Sequence, residues 1–321
     1  MEQRLVTKRG SELARGAATD GIAVREVPWA IGLDPRACWR LALEILALRP
    51  DVIHAHNSHA LSLAVWARGL PGLARRGPAP RLVVTRRVVF PVRQGSALFR
   101  ADRIIAISAA VKAALVASGV PAPAITVVPS GVDPDEVRRA AAAPLLIRAR
   151  LGAPDTAPLA ANIAALEPEK DHATLIGAAA HARALRPDLH WVIAGAGTLR
   201  SALEADIRRR GLIDRVHLIG WTDRPEALMR EASVVVMSSR EEGLGTAVLD
   251  ALALGKPVVA TSGGGLPEIV PPSWLVPVGD AEALARTVVR ALDHPSPVPL
   301  PAQYTAAAMA HGVLAVYRSL A

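Results

Sequence analysis

A loop between a predicted strand and a predicted helix combines acidic side chains with glycines. The strand ends at about Met237, and Glu241 and Glu242 lie in the loop. The helix is expected to begin near Thr246, whose hydroxyl suits an N-cap position. Backbone N–H groups at a helix N-terminus lack intrahelical acceptors and bind anions. The groups expected to do so here, at the carboxyl edge of a sheet, belong to Gly243, Leu244, Gly245 and Thr246.

This anion site needs a cation if its ligand is a diphosphate, because a helix N-terminus contributes only about 0.3–2 kcal/mol. Lysine occurs only at positions 8, 112, 170 and 256, and Lys170 lies in the loop Leu166–Asp171 after the first strand of the second half. Ligands of open α/β sheets collect at that end of the strands. We therefore expect Lys170 to pair with a diphosphate; the alternative is an exposed loop lysine.

The elements that must position these residues alternate between short β-branched runs and longer stretches rich in Ala, Leu and Arg, which is typical of parallel α/β layers. Candidate strands in the first half are Arg4–Thr7, Ile22–Val27, Val52–Ala55, Leu82–Thr85, Ile104–Ile107 and Thr126–Val128. Those in the second half are Leu159–Ile163, His190–Ala194, Val216–Ile219, Ser233–Met237, Pro257–Ala260 and Trp274–Val276. The pattern predicts one doubly wound α/β sheet in each half.

A chain of 321 residues is long enough for two domains. One Arg- and Ala-rich helix is expected in the linker, near residues 135–157. The predicted domains are therefore residues 1–140 and 141–300. Four prolines between Asp293 and Pro301 predict an extended spacer. The last helix, residues 301–321, is expected to leave the second domain and pack on the first.

The composition, 51% hydrophobic and 21% charged, is typical of a globular protein. The single cysteine, Cys38, cannot form an internal disulfide, and no apolar run approaches the ~18–20 residues of a membrane span. The N-terminus is charged where a signal peptide has an apolar core. These features predict a cytoplasmic location.

The net charge of +8 is unevenly distributed. Residues 1–150 contain 22 Lys and Arg against 11 Asp and Glu, whereas residues 151–321 contain 15 against 18. The basic half predicts an anionic partner, either an acidic substrate or membrane lipid; the alternative is an Arg-rich surface that is simply solvated. With 3% aromatic residues and no zinc-finger or RNA-recognition motif, nucleic acid is not expected as a partner.

Three histidines lie within residues 51–59. Alternation along a strand places His54 and His56 on one face, near its carboxyl end and toward the cleft between the domains. No carboxylate or cysteine completes a ligand set, so no metal site is predicted. We expect a structural role for His54. Cys38 lies in the predicted helix Pro35–Leu48, whose Trp39 and leucines indicate packing.

Gly195-Ala-Gly197 is a candidate dinucleotide motif. Its third glycine is replaced by Arg200, and the motif follows a second strand rather than opening the domain, so a dinucleotide enzyme is not favoured. The nucleophile motif Gly-x-Ser-x-Gly and a Walker phosphate loop are absent from the sequence.

Together these features resemble the GT-B glycosyltransferases of family 4, which are retaining and use nucleotide sugars. The resemblance covers most of the chain, including residues 193–200, 216–223 and 263–270. In that family a Glu is followed, after seven residues, by a second Glu; here Glu242 is followed by Asp250. The resemblance implies that Glu242 contacts hydroxyls of the donor sugar and that the shorter Asp250 holds the ribose hydroxyls.

The resemblance implies further donor contacts. The family's usual Arg before the lysine falls at or near Ala165, which leaves Lys170 as the main basic side chain on the diphosphate. The loop that contains Trp221 borders the base in relatives, although a packing tryptophan is the alternative. The remaining donor-side residues are Gly195, Gly197 and Gly220.

On the acceptor side, the resemblance implies a contact from His56. Many relatives have a histidine at the end of the next strand, where this chain has Thr85-Arg86-Arg87. That sequence resembles a subgroup that acts on anionic envelope sugars or lipids. Arg86 and Arg87 are therefore expected to contact a phosphate or carboxylate of the acceptor.

Relatives begin with a central strand and a Gly-Gly loop, whereas residues 2–11 match their second strand and the loop after it. The first domain is therefore expected to lack its first strand. We expect Met1 to be a misassigned or truncated start, preceded in the full product by about 40–60 residues of strand, loop and helix.

The resulting hypothesis is a retaining glycosyltransferase of cell-envelope and lipopolysaccharide synthesis that uses neither a metal nor another cofactor. It would bind a nucleotide-sugar donor in the second domain and an anionic glycan or lipid acceptor in the first, with peripheral contact at the inner membrane surface. Two alternatives stay open. One is a sugar-nucleotide epimerase of the same fold, and the other is a non-catalytic nucleotide-sugar-binding or interaction protein.

Overall fold

The computed structural model describes residues 2–29, 34–69, 79–296 and 298–320. Strands of the first half are β1 (Arg4–Lys8), β2 (Ala23–Val27), β3 (Val52–Ala55), β4 (Arg81–Arg86), β5 (Arg103–Ala106) and β6 (Ile125–Val127). Its helices are α1 (Glu12–Thr19), α2 (Pro35–Leu48), α3 (Ser58–Arg68), α4 (Ala109–Ala117), α5 (Pro134–Ala140) and α6 (Ile147–Leu151). The strands form a parallel pair, β1-β2, and a parallel four-stranded sheet in the order β3-β4-β5-β6.

The second half is built around one parallel six-stranded sheet. Its strands are β7 (Leu159–Ile163), β8 (His190–Ala194), β9 (Val216–Gly220), β10 (Val234–Met237), β11 (Val258–Thr261) and β12 (Leu275–Val276). Its helices are α7 (His172–Leu185), α8 (Arg200–Arg209), α9 (Pro225–Glu231), α10 (Thr246–Ala253), α11 (Ala281–Asp293) and α12 (Ala306–Arg318). The strand order is β12-β11-β10-β7-β8-β9, so the chain runs outward from β7 and then returns to its other side at β10.

The predicted class of two doubly wound α/β domains is confirmed. All twelve predicted strands are present, with bounds that differ by at most one residue at either end. The agreement has a physical cause: strands covered on both faces consist of continuous β-branched runs, as in β10, where all four residues are buried. In the described ranges β1 and β3 each pair with one strand. The expected segment before Met1 stays a prediction.

The linker between the halves corrects one expectation. The sequence predicts a single helix, but α5 ends at Ala140 and α6 starts at Ile147. Pro144 lies in the break and cannot continue a helix. The carboxylate of Glu231 accepts hydrogen bonds from three successive backbone N–H groups, those of residues 145–147. These contacts satisfy N–H groups at the start of α6 that have no intrahelical acceptor.

The two sheets share a hydrophobic core. One continuous cluster of buried residues includes Leu82 and Ile104 of the first half and Leu159 and Val235 of the second. On another face of the four-stranded sheet, Val316 of α12 packs in a cluster with residues 83, 105 and 128. In the described ranges, no helix has both the length and the hydropathy to cross a bilayer.

Two segments carry the chain between the halves, and they lie side by side. Val132 and Thr305 form a parallel bridge, and the Val132 N–H donates to the Tyr304 carbonyl at 3.0 Å. Gly131 permits this approach, because a Cβ there would lie 2.2 Å from the Thr305 carbonyl oxygen. The domain limits at residues 140 and 300 concern units that would fold alone, and they stay predictions.

Candidate functional site

The candidate site lies where the strand order of the six-stranded sheet reverses. β7 and β10 are neighbours there, with Ala161 opposite Val235. Their carboxyl ends lead into the β7 loop (residues 164–171) and the β10 loop (residues 238–245). Connections that diverge at such a reversal leave a crevice, which is where ligands of open α/β sheets bind.

Lys170 and Glu242 form an ion pair between the two loops. Nζ of Lys170 lies 2.5 Å from Oε2 of Glu242, and the Ser239 hydroxyl lies 3.4 Å from the same oxygen. The side chains of the pair are 20% and 14% exposed, so both charges are shielded from most of the solvent. The structure thus brings together the predicted cation and the predicted sugar contact. An anion that enters the crevice meets an ammonium group already compensated by one carboxylate.

A second set of contacts anchors the backbone of both loops. The Ser238 hydroxyl donates to the Lys170 carbonyl at 2.8 Å. The Arg240 N–H donates to the Glu169 carbonyl at 2.8 Å, and Nε of Arg240 lies 2.8 Å from Oδ2 of Asp171. Asp171 is 5% exposed, has a left-handed φ of 47° and caps α7. Because of these contacts, the ion pair is held by fixed backbone on both sides.

The four backbone N–H groups predicted to bind an anion, those of residues 243–246, donate to no protein acceptor in the described ranges. Gly243, Leu244 and Gly245 are buried residues, and most backbone N–H groups inside folded proteins have an acceptor. This arrangement is suited to an anionic ligand.

The expected cap of α10 is wrong. Thr246 is the first residue of the helix, and the N-cap is Gly245, which has a φ of 95° and makes no side-chain hydrogen bond. A left-handed conformation of this kind favours glycine, so the chain enters the helix one residue before the hydroxyl that was expected to cap it. The Thr246 side chain is exposed.

Two carbonyl contacts orient the N–H groups of the β10 loop. The Ser108 hydroxyl donates to the Gly243 carbonyl at 2.6 Å, and the Gly265 N–H donates to the Glu242 carbonyl at 2.9 Å. In a trans peptide the carbonyl and the following N–H point in opposite directions. The Gly243 N–H therefore points away from Gly265, and the Leu244 N–H points away from Ser108.

The glycines predicted on the donor side have two different surroundings. A Cβ on Gly195 or Gly197 would lie 1.9 or 2.5 Å from a carbonyl oxygen of the β7 loop, so these glycines allow close packing between loops. Gly220 ends β9 with a φ of 80°. The next residue, Trp221, is 73% exposed and is therefore not a core tryptophan.

Asp250 lies on α10, behind the β10 loop. Burial and the nearby Glu226 carboxylate raise the pKa of Asp250 to about 6. Its charge state is therefore expected to change near pH 6.

His54 contacts two other elements. Its Nδ1 lies 2.5 Å from the Tyr317 hydroxyl on α12, and its Nε2 lies 2.7 Å from the Thr85 hydroxyl on β4. Burial, with smaller contributions from His56 and Arg87, lowers the pKa of His54 to about 3. The His56 ring lies 4.2 Å from that of His54, between centroids, and partial burial followed by the Arg87 charge lowers its pKa. No group of three His, Cys, Asp or Glu residues in the described ranges is placed to hold a metal.

Arg86 and Arg87 lie at the end of β4 in different surroundings. Nη2 of Arg86 donates to the Phe90 carbonyl at 2.8 Å, its Nε is buried without a partner, and burial lowers the pKa of its guanidinium. Nη1 of Arg87 donates to the Ser130 hydroxyl at 3.3 Å. The Arg87 carbonyl oxygen would lie 2.0 Å from a Cβ on Gly243, so the two halves touch at this point.

Three residues that shape the site were not predicted from sequence: Asp171, Ser108 and Glu268. Asp171 precedes Thr174 by the spacing of a capped helix start, which is a readable signal. Ser108 and Glu268 contact segments more than 100 positions away along the chain, and no local pattern reports such a contact.

The fold and the crevice define a two-domain α/β protein with a candidate ligand site between the β7 and β10 loops. Residues 146–310 match the family described as glycosyl transferases group 1, and residues 2–136 match glycosyltransferase family 4. The chain belongs to the group 1 glycosyl transferases, as the motifs around Glu242 indicated.

Two relatives illustrate the range of this family. The 2-deoxystreptamine glucosyltransferase of Streptomyces kanamyceticus is 34% identical over 180 residues, which are 54% of this chain and 46% of the relative. The lipopolysaccharide core biosynthesis glycosyltransferase LpsE of Rhizobium meliloti is 32% identical over 150 residues, 44% of this chain and 41% of the relative. The match thus spans less than half the length of either relative.

Solved structures share the fold over nearly the whole chain. A glycosyltransferase from Rickettsia africae superposes with a TM-score of 0.78 at 18% identity, covering 98% of this chain and 89% of the other. HepE of Anabaena, solved with UDP and glucose, superposes with a TM-score of 0.72 at 21% identity, covering 98% of this chain and 87% of HepE. These similarities show the GT-B fold.

Proposed function

We propose that this chain is a retaining glycosyltransferase that moves a sugar from a nucleoside diphosphate sugar to an anionic glycan or lipid acceptor of the cell envelope. The observation that carries the proposal is the Lys170–Glu242 ion pair beside four backbone N–H groups without protein acceptors. A cation, a carboxylate and free N–H groups in one crevice are what a diphosphate attached to a polyhydroxyl ligand requires.

The charge that develops on the departing diphosphate is the quantity the site must stabilise. The Lys170 ammonium and the N–H groups of residues 243–246 come from anchored backbone, so they need little reorganisation during the reaction. The ammonium is compensated by Glu242 before the donor binds. A diphosphate carries more negative charge than one carboxylate, so it competes for Lys170 and leaves the Glu242 oxygens available for sugar hydroxyls.

No side chain is assigned as a nucleophile. Glu242 accepts from Lys170 and lies within 3.4 Å of the Ser239 hydroxyl, contacts suited to positioning a sugar. The contribution of the protein is thus orientation of donor and acceptor together with electrostatic stabilisation of the leaving group.

The names of relatives do not select one nucleotide base. HepE has been solved with UDP-glucose. A mannosyltransferase of Corynebacterium glutamicum, 33% identical over 162 residues, is named as GDP-mannose-dependent. We therefore propose a nucleoside diphosphate sugar as the donor class and assign no base.

The acceptor is proposed to be anionic because of the first half of the chain. Arg86 has a buried Nε without a partner at the end of β4, and Arg87 lies where the two halves meet. Among relatives, LpsE is named for lipopolysaccharide core biosynthesis, and the C. glutamicum enzyme for a phosphatidylinositol monomannoside. These names support the proposal of a glycan or lipid acceptor of the cell envelope.

Peripheral membrane contact is proposed to involve the outer face of α2. The expectation that Trp39 packs is wrong: it is 61% exposed on this helix. Leu43 is 42% exposed, and Arg36 and Arg40 beside them are exposed as well. The acid of this helix, Glu44, pairs with two arginines. Exposed Trp and Leu between arginines match the chemistry of an anionic lipid interface.

The test is a screen of UDP-, GDP- and ADP-sugars by thermal shift, followed by transfer assays with envelope lipid extracts. A ligand at 100 times its dissociation constant adds about 2.7 kcal/mol to the native state. Retention is read from the anomeric coupling constant of the product by NMR. Epimerised sugar from donor alone would favour the epimerase, and no shift with any nucleotide sugar would favour an interaction protein.

A further inference from the structure

A loop of the second half occupies the start of a helix in the first half. One carboxylate oxygen of Glu268 accepts from the Ala109 N–H and the other from the Ala110 N–H, both at 2.9 Å. These are the first two residues of α4, whose N–H groups have no intrahelical acceptor. A carboxylate at this position is also favoured by the helix dipole.

Ser108 completes the same junction. Its hydroxyl accepts from the Val111 N–H at 3.0 Å and donates to the Gly243 carbonyl at 2.6 Å. The start of α4 is thus capped partly by its own serine and partly by Glu268, and the serine also holds the β10 loop. Ser108 is fully buried, whereas Glu268 is exposed. Water can therefore replace the Glu268 carboxylate at the start of α4 more easily than it can replace the Ser108 hydroxyl.

The segment that carries Glu268 also packs against the β10 loop. A Cβ on Gly264 would lie 2.0 Å from the Glu242 carbonyl oxygen. A Cβ on Gly265 would lie 2.4 Å from the Gly243 carbonyl oxygen. The Gly265 N–H donates to the Glu242 carbonyl. Because these backbones touch, a displacement of the Glu268 segment must displace Glu242 and Gly243 as well.

The same segment is tied to the return of the chain into the first half. The Tyr304 hydroxyl donates to the Glu268 carbonyl at 2.9 Å, and Tyr304 is 4% exposed. The segment of residues 264–268 therefore joins three parts of the molecule: the start of α4, the β10 loop and the segment that leads into α12.

We propose that Glu268 is a positioning residue. By its contact with the start of α4, it holds the β10 loop against Ser108 and so fixes the direction of the N–H groups that receive the diphosphate. Nucleotide-sugar affinity then depends on a carboxylate that does not touch the ligand. The ligand part of this inference rests on the proposed function, whereas the positioning part concerns the ligand-free protein as well.

The experiment compares Glu268→Ala and Glu268→Gln with Glu282→Gln, a surface acid on α11. Residue-specific amide exchange is measured by NMR without ligand. Glu268→Ala should speed exchange at Ala109 and Ala110 by about tenfold or more. It should also change exchange at residues 243–246 and leave the Val111 N–H, held by Ser108, unchanged. Glu268→Gln keeps one acceptor oxygen, so its exchange rates should lie between those of Glu268→Ala and the wild type. The exchange rates of Glu282→Gln should match the wild type.

Affinity for UDP-glucose and GDP-mannose is then measured by calorimetry on the same proteins. For the sugar nucleotide that binds, Glu268→Ala should weaken affinity by about fivefold or more at a temperature where every variant is fully folded. If Glu268→Ala leaves amide exchange at residues 109, 110 and 243–246 unchanged, the inference is overturned. It is also overturned if exchange changes but the affinity for the sugar nucleotide does not. If no UDP-, GDP- or ADP-sugar binds the wild type, the proposed function fails, and exchange at residues 243–246 alone decides whether Glu268 positions the loop.

Discussion

The ammonium of Lys170 and the carboxylate of Glu242 neutralise each other across two loops that follow neighbouring strands, at an Nζ–Oε2 distance of 2.5 Å. Neither charge is free in the absence of ligand. We therefore expect the two residues to influence nucleotide binding in opposite directions, although the proposed function needs both for transfer.

Lys170→Ala should weaken binding of the nucleotide sugar by about 10- to 100-fold, the value of a lost hydrogen bond to a charged group, and should abolish transfer. Glu242→Gln should abolish transfer but preserve or tighten binding of the free nucleoside diphosphate, because Lys170 is then uncompensated. Calorimetry with the diphosphate and with its sugar separates the two effects. Lys8→Ala, which removes an exposed lysine on β1, is the matched control. Equal loss of diphosphate binding in both site variants would contradict this division of roles.

Donor affinity should increase as pH rises through about 6, the pKa of Asp250. The ionised carboxylate accepts hydrogen bonds from ribose hydroxyls with both oxygens, whereas the protonated form accepts less well. The intact sugar nucleotide is the probe, because its diphosphate lacks the terminal phosphate that titrates near 6. Asp250→Asn should give affinity that does not vary between pH 5 and 7.

The same residue affects stability with the opposite sign. Folded Asp250 holds its proton more tightly than an unfolded aspartate, whose pKa is 3.8. The stability that Asp250 contributes is therefore fully present below about pH 4 and is lost as the pH rises through about 6. Asp250→Asn should raise the free energy of unfolding at pH 7 by about 1–3 kcal/mol, measured with urea. If Asp250→Asn leaves the free energy of unfolding at pH 7 unchanged or lowers it, the charge of Asp250 is compensated by other groups in the folded protein.

Gly243→Ala should weaken donor binding and destabilise the protein by more than about 1 kcal/mol, because the new Cβ would meet the Arg87 carbonyl oxygen at 2.0 Å. Gly16 is the control: it lies in α1 with no atom within 4 Å of the Cβ position. Gly16→Ala should stabilise by about 0.4–1 kcal/mol without affecting nucleotide affinity. Urea unfolding and calorimetry measure both quantities, and a Gly243→Ala protein with wild-type affinity would exclude a role for this close approach.

One buried and two half-buried histidines should make the protein sensitive to acid. The pKa of His54 is about 3 and those of His172 and His217 are about 4, each lowered mainly by burial. Unfolded histidine binds a proton near 6.5, so stability is full above that pH and decreases as pH falls toward 4. Between pH 7 and 5 the loss is at most roughly 2 kcal/mol for each histidine.

Urea unfolding at pH 7 and 5 tests this expectation. His54→Gln should reduce the loss of unfolding free energy between pH 7 and 5 by the contribution of one histidine. His181→Gln, at an exposed position on α7, should lose as much unfolding free energy as the wild type. Equal losses in all three proteins would mean that acid acts through other groups.

Binding to vesicles that contain anionic lipid should depend on the outer face of α2. Each arginine near such a surface is worth about 1 kcal/mol, so Arg36→Glu with Arg40→Glu should weaken binding by tenfold or more. Trp39→Ala should weaken it as well, whereas Ile213→Ala, at a 67% exposed position of the second half, should not. Sedimentation with neutral and anionic vesicles at two salt concentrations measures this, and salt-independent binding would argue against the proposed surface.

The strands were predictable because parallel strands covered on both faces contain uninterrupted β-branched runs, and a local pattern is sufficient to find them. Lys170 and Glu242 were singled out because both lie in loops at strand ends. Their mutual contact was not predictable, since it depends on β10 returning to the side of β7. The cap at Gly245 was missed because a left-handed φ leaves little trace in the sequence beyond the glycine itself.

The bridge between Val132 and Thr305 ties together the two connections that carry the chain between the halves. Its consequence is mechanical: a rotation of one half against the other would displace residues least near this bridge and most at the far side of the molecule. A side chain at residue 131 would force the two connections apart, because its Cβ would lie 2.2 Å from the Thr305 carbonyl oxygen.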